Sequence, residues 1–148
     1  MQVTHFRTAA EFRRWLQKHH ATAKEVWVGF YHKERGGGGM SYKEALDQAL
    51  CFGWIDGIRK KVDEQSYTNR FTPRTAKSIW SLINIRRVKE LEALGLMAAP
   101  GRAAFKSRDP KRSGMYSFEN RPQSLPAALQ RIFRANKDAW AFFMAQPP

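Results

Sequence analysis

Asp56 is the residue whose type and neighbours best suit chemistry. It lies in the segment Trp54-Ile55-Asp56-Gly57-Ile58, which has the composition of a strand. Alternate side chains of a strand share a face, so we expect Trp54, Asp56 and Ile58 to point the same way, and if Trp54 and Ile58 face the core, Asp56 is drawn inward with them. A buried carboxylate is costly unless it is paired or hydrogen-bonded. The position therefore predicts either a carboxylate that ties the strand to the following helix or, as the alternative, a functional carboxylate in a pocket.

Basic and hydroxyl side chains precede a predicted helix start at Ser81. Arg74 and Lys77 stand just ahead of that start, where free backbone N–H groups and the helix dipole favour an anion. An arginine also offers a planar fork that suits carboxylate or phosphate. The alternative is ordinary helix capping with Trp80 in the core. The predicted anion-binding residues, with Tyr67 as a further apolar wall, are Asp56, Arg70, Arg74, Lys77, Ser78, Trp80, Ser81 and Asn84.

No other pattern in the chain predicts a reaction, a metal or a cofactor. Cys51 follows an apolar helical stripe and is expected to be a small buried hydrophobic residue. The 4 His lack metal-ligand spacing, and Gly36 to Gly39 lack the Lys-Ser/Thr ending of a phosphate loop. We therefore expect a non-enzymatic protein without a cofactor. An enzyme that uses Asp56 as an acid or a base is the alternative.

The net charge of +13 predicts an anionic partner, which is nucleic acid, a phosphorylated ligand or an acidic membrane surface, and most of the excess lies in the second half of the chain. A solvated basic face is the simpler alternative. Nucleic-acid binding is a further hypothesis, although no helix-turn-helix, zinc-finger or stacking-sheet motif accompanies the charges. The basic residues form two stretches, Arg86, Arg87 and Lys89 in the first and Arg102, Lys106, Arg108, Lys111 and Arg112 in the second.

The composition predicts a soluble, cytoplasmic protein. No apolar run approaches the roughly 18 residues that a membrane span needs. The N-terminal segment Met1–Arg7 lacks the apolar core of a signal peptide. A single Cys excludes an intramolecular disulfide and fits a reducing compartment.

Hydrophobic periodicity and capping signals predict the elements that hold these residues. The expected fold is α+β: a small antiparallel sheet of about three strands against five to six helices, in a single domain over residues 1–148. The strands are expected at Glu25 to His32, Trp54 to Val62 and Ser66 to Thr72. Helices are expected at Ala9 to His19, from Ser41 to Gly53, at Ser81 to Leu94, at Ala98 to Arg108, from Ser124 or Leu125, and from Asn136.

Two compact signatures give the chain a family likeness. They are Gly53-Trp54-Ile55-Asp56-Gly57, and Phe71-Thr72-Pro73-Arg74 followed by Ser78-Ile79-Trp80-Ser81 and Asn84. Together they resemble the bacterial YdeI/OmpD-associated family, also called bacteriocin-protection proteins. The likeness extends to Phe12–Leu16, Val26–Gly29, Tyr42 with Glu44–Leu46, and Gly95–Met97 with Pro100-Gly101.

The resemblance implies a bacterial protein of stress or antimicrobial-peptide resistance, without an established reaction. It also implies an association with an outer-membrane porin, which we expect to be indirect for a protein in the cytoplasm. Members of that family usually continue into a further helical segment with a Thr-Arg pair. This chain ends at Gln146-Pro147-Pro148, so the resemblance implies that this C-terminal helical tail is missing.

Overall fold

The computed structural model describes residues 2–33 and 38–114. Within these ranges the chain forms four strands and four α-helices, and a short 3-10 helix follows at Pro110–Arg112. The elements in chain order are β1 (Val3–Thr4), α1 (Ala9–His19), β2 (Val26–Tyr31), α2 (Tyr42–Cys51), β3 (Trp54–Lys61), β4 (Ser66–Pro73), α3 (Leu82–Ala93) and α4 (Ala99–Lys106).

The four strands form one mixed sheet in the order β1-β2-β4-β3. β1 runs parallel to β2, and α1 is the crossover between them. β2 pairs with β4 and β4 with β3, both antiparallel. The last two strands form the predicted hairpin, whose turn is closed by Asp63: its Oδ1 accepts from the backbone N–H groups of Gln65 and Ser66 at 2.8 and 2.9 Å.

The α+β class agrees with the structure, but the predicted element counts are wrong. The sheet has four strands and is mixed, whereas about three antiparallel strands were expected. β1 was not predicted, because two residues are too few to show a hydrophobic alternation. Its partner β2 is parallel and follows a helix, so no turn in the sequence indicates the pairing. Four α-helices are present in the described ranges instead of five to six. The helices expected from Ser124 or Leu125 and from Asn136 lie outside those ranges.

The helix starts follow their capping signals. Thr8 caps α1 by accepting from the Glu11 N–H at 3.2 Å. At α2 the capping box is complete, because Ser41 Oγ accepts from the Glu44 N–H and the Glu44 carboxylate accepts from the Ser41 N–H, both at 3.1 Å. Ser81 caps α3 as expected. These local bonds explain why the predicted helix starts are correct within a residue.

One face of the sheet carries the hydrophobic core. Val28 and Phe30 of β2 share this face with Phe71 of β4, and all three are buried. Phe12 of α1 packs edge-on against Phe71 with ring centroids 5.7 Å apart, and Tyr42 of α2 meets Phe30 at 5.8 Å. Helices α1 and α2 therefore cover the face that we call the core face.

A bulge in β3 changes which side chains reach the core face. Asp56 lies opposite Phe71 and Arg59 opposite Asn69, so two residues of β3 face only one residue of β4. The extra residue shifts the alternation, and Arg59 joins Asp56 on the core face. Ile58 is instead 59% exposed. The expectation that Ile58 points inward with Asp56 is wrong for this reason.

Helices α3 and α4 are tied to α2. Arg87 of α3 donates Nε and Nη2 to the two carboxylate oxygens of Asp47 at 2.8 and 2.7 Å. The hydrogen bonds to Asp47 and Glu90 raise the pKa of Arg87, and the two-bond contact with Asp47 links the helices. The Ala98 N–H at the start of α4 donates to the Cys51 carbonyl at 3.0 Å. The middle of α2 is thus bonded to α3, and its end is bonded to the segment that begins α4.

Candidate anion-binding site

Asp56 forms the centre of a polar and aromatic group at the edge of the core face. Its side chain is half-buried, and its Oδ2 accepts a hydrogen bond from the Tyr42 hydroxyl. Tyr42 is the first residue of α2, so the Ser41 capping box sets the backbone position from which its side chain projects. The helix start and the bulged strand therefore hold the two groups against each other.

Arg59 lies beside this pair because the bulge places it there. Its guanidinium carbon is 5.1 Å from the centre of the Tyr42 ring and 4.5 Å from that of Tyr67. Its Nε donates to Asn69 Oδ1 at 3.2 Å. Arg59 is an exposed residue whereas Asn69 is buried. The guanidinium is thus oriented from below by the amide and flanked by two aromatic rings.

Arg74 approaches the same carboxylate from beyond the end of β4. Its backbone N–H donates to the Gly53 carbonyl at 2.9 Å, which holds the chain next to the start of β3. Its guanidinium carbon lies 3.6 Å from the centre of the Trp80 ring, and its Nη1 donates to the Ile79 carbonyl at 3.3 Å. The positive charge of Arg74 lies near enough to Asp56 to lower the pKa of its carboxyl group. The structure therefore brings these two predicted residues together.

Burial raises the pKa of the Asp56 carboxyl above its ordinary value. A hydrogen bond from its own backbone N–H and the charges of Arg74 and Arg59 oppose this rise in pKa, in that order of size. The carboxyl group can therefore exchange a proton closer to neutral pH than a solvated aspartate. We call the set Tyr42, Asp56, Arg59, Tyr67, Asn69 and Arg74 the Asp56 cluster.

The structure places Arg70 away from this cluster. Arg70 lies between Asn69 and Phe71 in β4, so its side chain points to the opposite face of the sheet. There its Nε pairs with Glu25 at 2.5 Å, and both side chains are about two-fifths exposed, at 41% and 44%.

The remaining predicted residues lie in the loop before α3 and at its start. Ser78 Oγ accepts from the Thr75 N–H at 2.9 Å, and Lys77 is exposed. Ser81 Oγ accepts from the Asn84 N–H at 3.0 Å, which is the bond of an ordinary helix cap. These contacts fit the alternative of ordinary helix capping. Anion binding stays a prediction for the four residues Lys77, Ser78, Ser81 and Asn84.

Trp80 is buried at the junction of this loop with α4. It packs edge-on against Phe105 with ring centroids 5.4 Å apart. Its backbone N–H donates to the Arg112 carbonyl at 3.0 Å, and its carbonyl accepts from the Gly114 N–H at 2.7 Å. Trp80 therefore anchors the 3-10 segment and supports Arg74 from behind, rather than forming an open wall.

Sequence reasoning missed Tyr42, Arg59 and Asn69. The signal for Tyr42 was present, since it follows the Ser41 cap on a helix that leads directly into β3. Arg59 had no signal, because a simple alternation from Asp56 assigns it to the other face. Only the pairing partners of β3 reveal the bulge.

The other candidate groups play structural parts. Cys51 is buried, and burial raises the pKa of its thiol, so it is not an activated nucleophile. In residues 2–33 and 38–114, no three His, Cys, Asp or Glu side chains come close enough together to hold a metal ion. In the same ranges, none of the helices has the length and apolar character that crossing a membrane requires.

Comparison with known proteins gives a family without an assigned function. Neither the curated proteins nor the solved structures contain a significant match to the chain. The likeness to the YdeI/OmpD-associated family stays a prediction. The profile of a domain of unknown function, DUF8412, matches residues 4–104, a span that begins within β1 and contains β2 to β4, α1 to α3 and the whole Asp56 cluster. The chain belongs to the DUF8412 family.

Proposed function

We propose that the protein binds a small anionic ligand at the Asp56 cluster and acts without catalysing a reaction. The observation that carries the proposal is the placement of two guanidinium groups, Arg59 and Arg74, close enough to one half-buried carboxyl group for their charges to act on it. With Asp56 ionised the three groups carry a net positive charge, and with Asp56 protonated the excess grows. An anion is the ligand that such a site favours.

Arg59 is the residue best suited to contact the ligand. It is exposed, and Asn69 together with the rings of Tyr42 and Tyr67 sets the plane of its guanidinium. A guanidinium held in one plane loses little freedom when it binds a carboxylate or phosphate through paired hydrogen bonds. Arg74 lies deeper, against Trp80, and contributes charge.

Tyr42 and Asp56 give the site a means of selecting ligands. A protonated Asp56 donates a hydrogen bond, whereas an ionised Asp56 only accepts, and the raised pKa makes the protonated form more accessible. A ligand that carries a hydroxyl or amide beside its anionic group matches this combination. We therefore expect small phosphorylated or carboxylated metabolites to bind better than inorganic phosphate.

Titration calorimetry and thermal-shift measurements with phosphate, nucleotides and small carboxylates test this function. We expect Arg59→Ala to weaken binding by about 10-fold or more, because a charge-assisted hydrogen bond to the ligand is lost. Arg70→Ala removes the same charge from the opposite face and is the matched control. A screen in which no compound binds, or equal losses for the two variants, would contradict the proposal.

The biological role proposed here rests on the family resemblance. We propose a cytoplasmic protein of stress or antimicrobial-peptide resistance, in which the bound anion reports or modulates the stress response. Deletion of the gene should then sensitise the cell to cationic peptides, and Arg59→Ala should fail to restore resistance. Full restoration of resistance by Arg59→Ala would show that the resistance does not depend on ligand binding at the Asp56 cluster.

A second candidate is an enzyme that uses Asp56 as an acid or a base. The hydrogen bond from Tyr42 to a carboxyl group of raised pKa favours it, because acid–base groups need a pKa near the working pH. Ligands found in the screen can be incubated with the protein and followed by NMR. Conversion by the wild type that is absent in Asp56→Asn would favour the enzyme. Unchanged ligand favours the binding protein.

Nucleic-acid binding through the basic helices receives less support from the geometry. Arg87 pairs with Asp47 and Glu90, and Arg102 pairs with Glu92. Arg108 donates to the Phe105 carbonyl and lies over the Phe105 ring at 3.9 Å. Arg87 is therefore engaged within the protein, whereas the exposed Arg102–Glu92 pair opens at little cost, so the charges of this region offer phosphates only a sequence-independent attraction.

A further inference from the structure

The face of the sheet opposite the core face carries a row of aromatic rings. Trp27 and Tyr31 are four residues apart on β2, so their side chains point to the same side, away from Val28 and Phe30. Trp27 is half-buried, and Tyr31 is 46% exposed. At a rise of about 3.3 Å per residue, the two positions lie about 13 Å apart along the strand.

His5 fills the space between these two rings. It follows β1 and stacks on Tyr31, with ring centroids 4.9 Å apart and planes inclined by 24°. Its ring passes directly over Gly29, where a Cβ atom would lie only 2.4 Å from His5 Nε2. Glycine at this position therefore lets the exposed His5 ring lie flat on the sheet.

Basic side chains flank the row on the neighbouring strands. Arg70 is the direct partner of Trp27 on β4. Lys60 of β3 is exposed, and its Nζ lies 5.2 Å from the centre of the Trp27 ring. Glu25 pairs with Arg70, but both side chains are partly exposed, so a phosphate can replace the carboxylate at little cost.

We propose that this sheet face, formed by His5, Trp27, Tyr31, Lys60 and Arg70, binds single-stranded nucleic acid. Bases stack on Trp27 and Tyr31, and the phosphates lie near Lys60 and Arg70. Stacking on aromatic side chains together with a positive backbone track is the usual basis of binding to single strands. A duplex keeps the faces of its bases covered by their neighbours, so it cannot use the rings. The net charge of +13 adds a long-range attraction for the phosphates.

This surface is separate from the Asp56 cluster. The proposed nucleic-acid surface and the cluster lie on opposite faces of one sheet, and they share no residue. The stretches rich in Arg and Lys, which the sequence favoured for nucleic acid, lie instead on α3, on α4 and in the segment from α4 to the 3-10 helix. The two proposals can therefore fail independently.

Fluorescence anisotropy with labelled ten-nucleotide oligouridylate and oligothymidylate tests the proposal, with a duplex of equal length alongside. We expect both single strands to bind more tightly than the duplex and to quench tryptophan fluorescence. Trp27→Ala and Tyr31→Ala should each weaken binding by about 10-fold, and Trp27→Phe should retain most of it.

Charge variants separate stacking from simple attraction. Lys60→Ala and Arg70→Ala should weaken binding and reduce the slope of log affinity against log salt by about one each. Arg86→Ala, which removes an exposed charge from α3, should have a smaller effect. The cross comparison is decisive: Arg70→Ala impairs the oligonucleotide and spares the small ligand, whereas Arg59→Ala does the reverse.

Three results would overturn the proposal. They are wild-type protein that does not bind at 50 mM salt, duplex bound as tightly as single strands, and wild-type affinity in both Trp27→Ala and Tyr31→Ala. Circular dichroism of each variant checks its fold. Tyr31 is exposed on a strand, so Tyr31→Ala remains informative even if Trp27→Ala unfolds.

Discussion

Asp56 and Asp63 belong to the same hairpin, but the pKa of Asp56 is raised and that of Asp63 is lowered. Burial raises the pKa of Asp56, because the half-buried carboxylate loses solvation that its own backbone N–H and the charges of the two arginines only partly replace. Asp63 closes the turn and accepts backbone hydrogen bonds from Gln65 and Ser66, and the bond from Gln65 is the main reason that its pKa is lowered. An ionised aspartate thus destabilises the folded protein at position 56 and stabilises it at position 63.

Asp56→Asn should flatten part of the pH dependence of stability. A carboxyl group with a raised folded-state pKa binds its proton more tightly in the folded protein, so its contribution to stability falls as pH rises above the ordinary value of 3.8. The wild type should therefore lose stability relative to Asp56→Asn from about pH 4 upward. Urea unfolding of both proteins between pH 3.5 and pH 7 measures the difference.

Asp63→Asn is the control with the opposite sign. Its lowered pKa gives stability above the unfolded value that disappears as pH falls. Asp63→Asn should be weaker than the wild type at neutral pH and approach it in acid. The same sign of pH dependence for both variants would contradict the assignment of the two carboxylates.

Helix α2 links the candidate site to the rest of the fold. Its capping box fixes where the first turn begins, Tyr42 in that turn bonds Asp56, and Asp47 further along holds α3 through Arg87. The Cys51 carbonyl, at the end of the helix, accepts a hydrogen bond from the N–H of Ala98, the N-cap of α4. A change at the start of α2 should therefore affect both stability and ligand binding.

Ser41→Ala should lower the free energy of unfolding by about 1 kcal/mol, because the Glu44 N–H loses its side-chain partner. It should also weaken ligand binding at the Asp56 cluster, since Tyr42 is less firmly held. Ser41→Asp can accept the same hydrogen bond and should preserve both properties. Urea unfolding and calorimetry of the two variants check this, and equal behaviour of both would argue against the capping role.

At the scale of the whole molecule, two glycines set how closely α4 approaches the end of α2. A Cβ atom on Gly101 would lie 2.1 Å from the Cys51 carbonyl oxygen, which is backbone and cannot turn aside. Gly53 has φ of +75°, and a Cβ atom there would lie 2.9 Å from the Pro100 carbonyl oxygen. Contact between the backbones of the two segments thus replaces contact between side chains.

Gly101→Ala should destabilise the protein by about 2 kcal/mol or more, because α4 must move away from α2. Gly57→Ala adds the same methyl group where the nearest atom, the Arg70 carbonyl oxygen, is 3.4 Å away, and should change stability little. Thermal unfolding compares the two variants. Similar melting temperatures for both would mean that the helices are not in close backbone contact.

Features that depend on near neighbours could be predicted from short stretches of sequence. The caps at Thr8, Ser41 and Ser81 use hydrogen bonds that span three residues, so their signals are complete within a few letters of sequence. The hairpin turn at Asp63 is similarly local. Asp56 and Arg74 could be named as candidates because their residue types stand out against apolar surroundings.

Features that depend on a distant partner became visible only in the folded chain. The parallel pairing of β1, the bulge that turns Arg59 toward Asp56, and the side of the sheet on which Trp27 meets Arg70 are all set by register between strands. Register balances contacts made across the whole sheet, and a shift of one residue moves a side chain to the other face. No short stretch of sequence contains that information, because the competing contacts lie far apart in the chain.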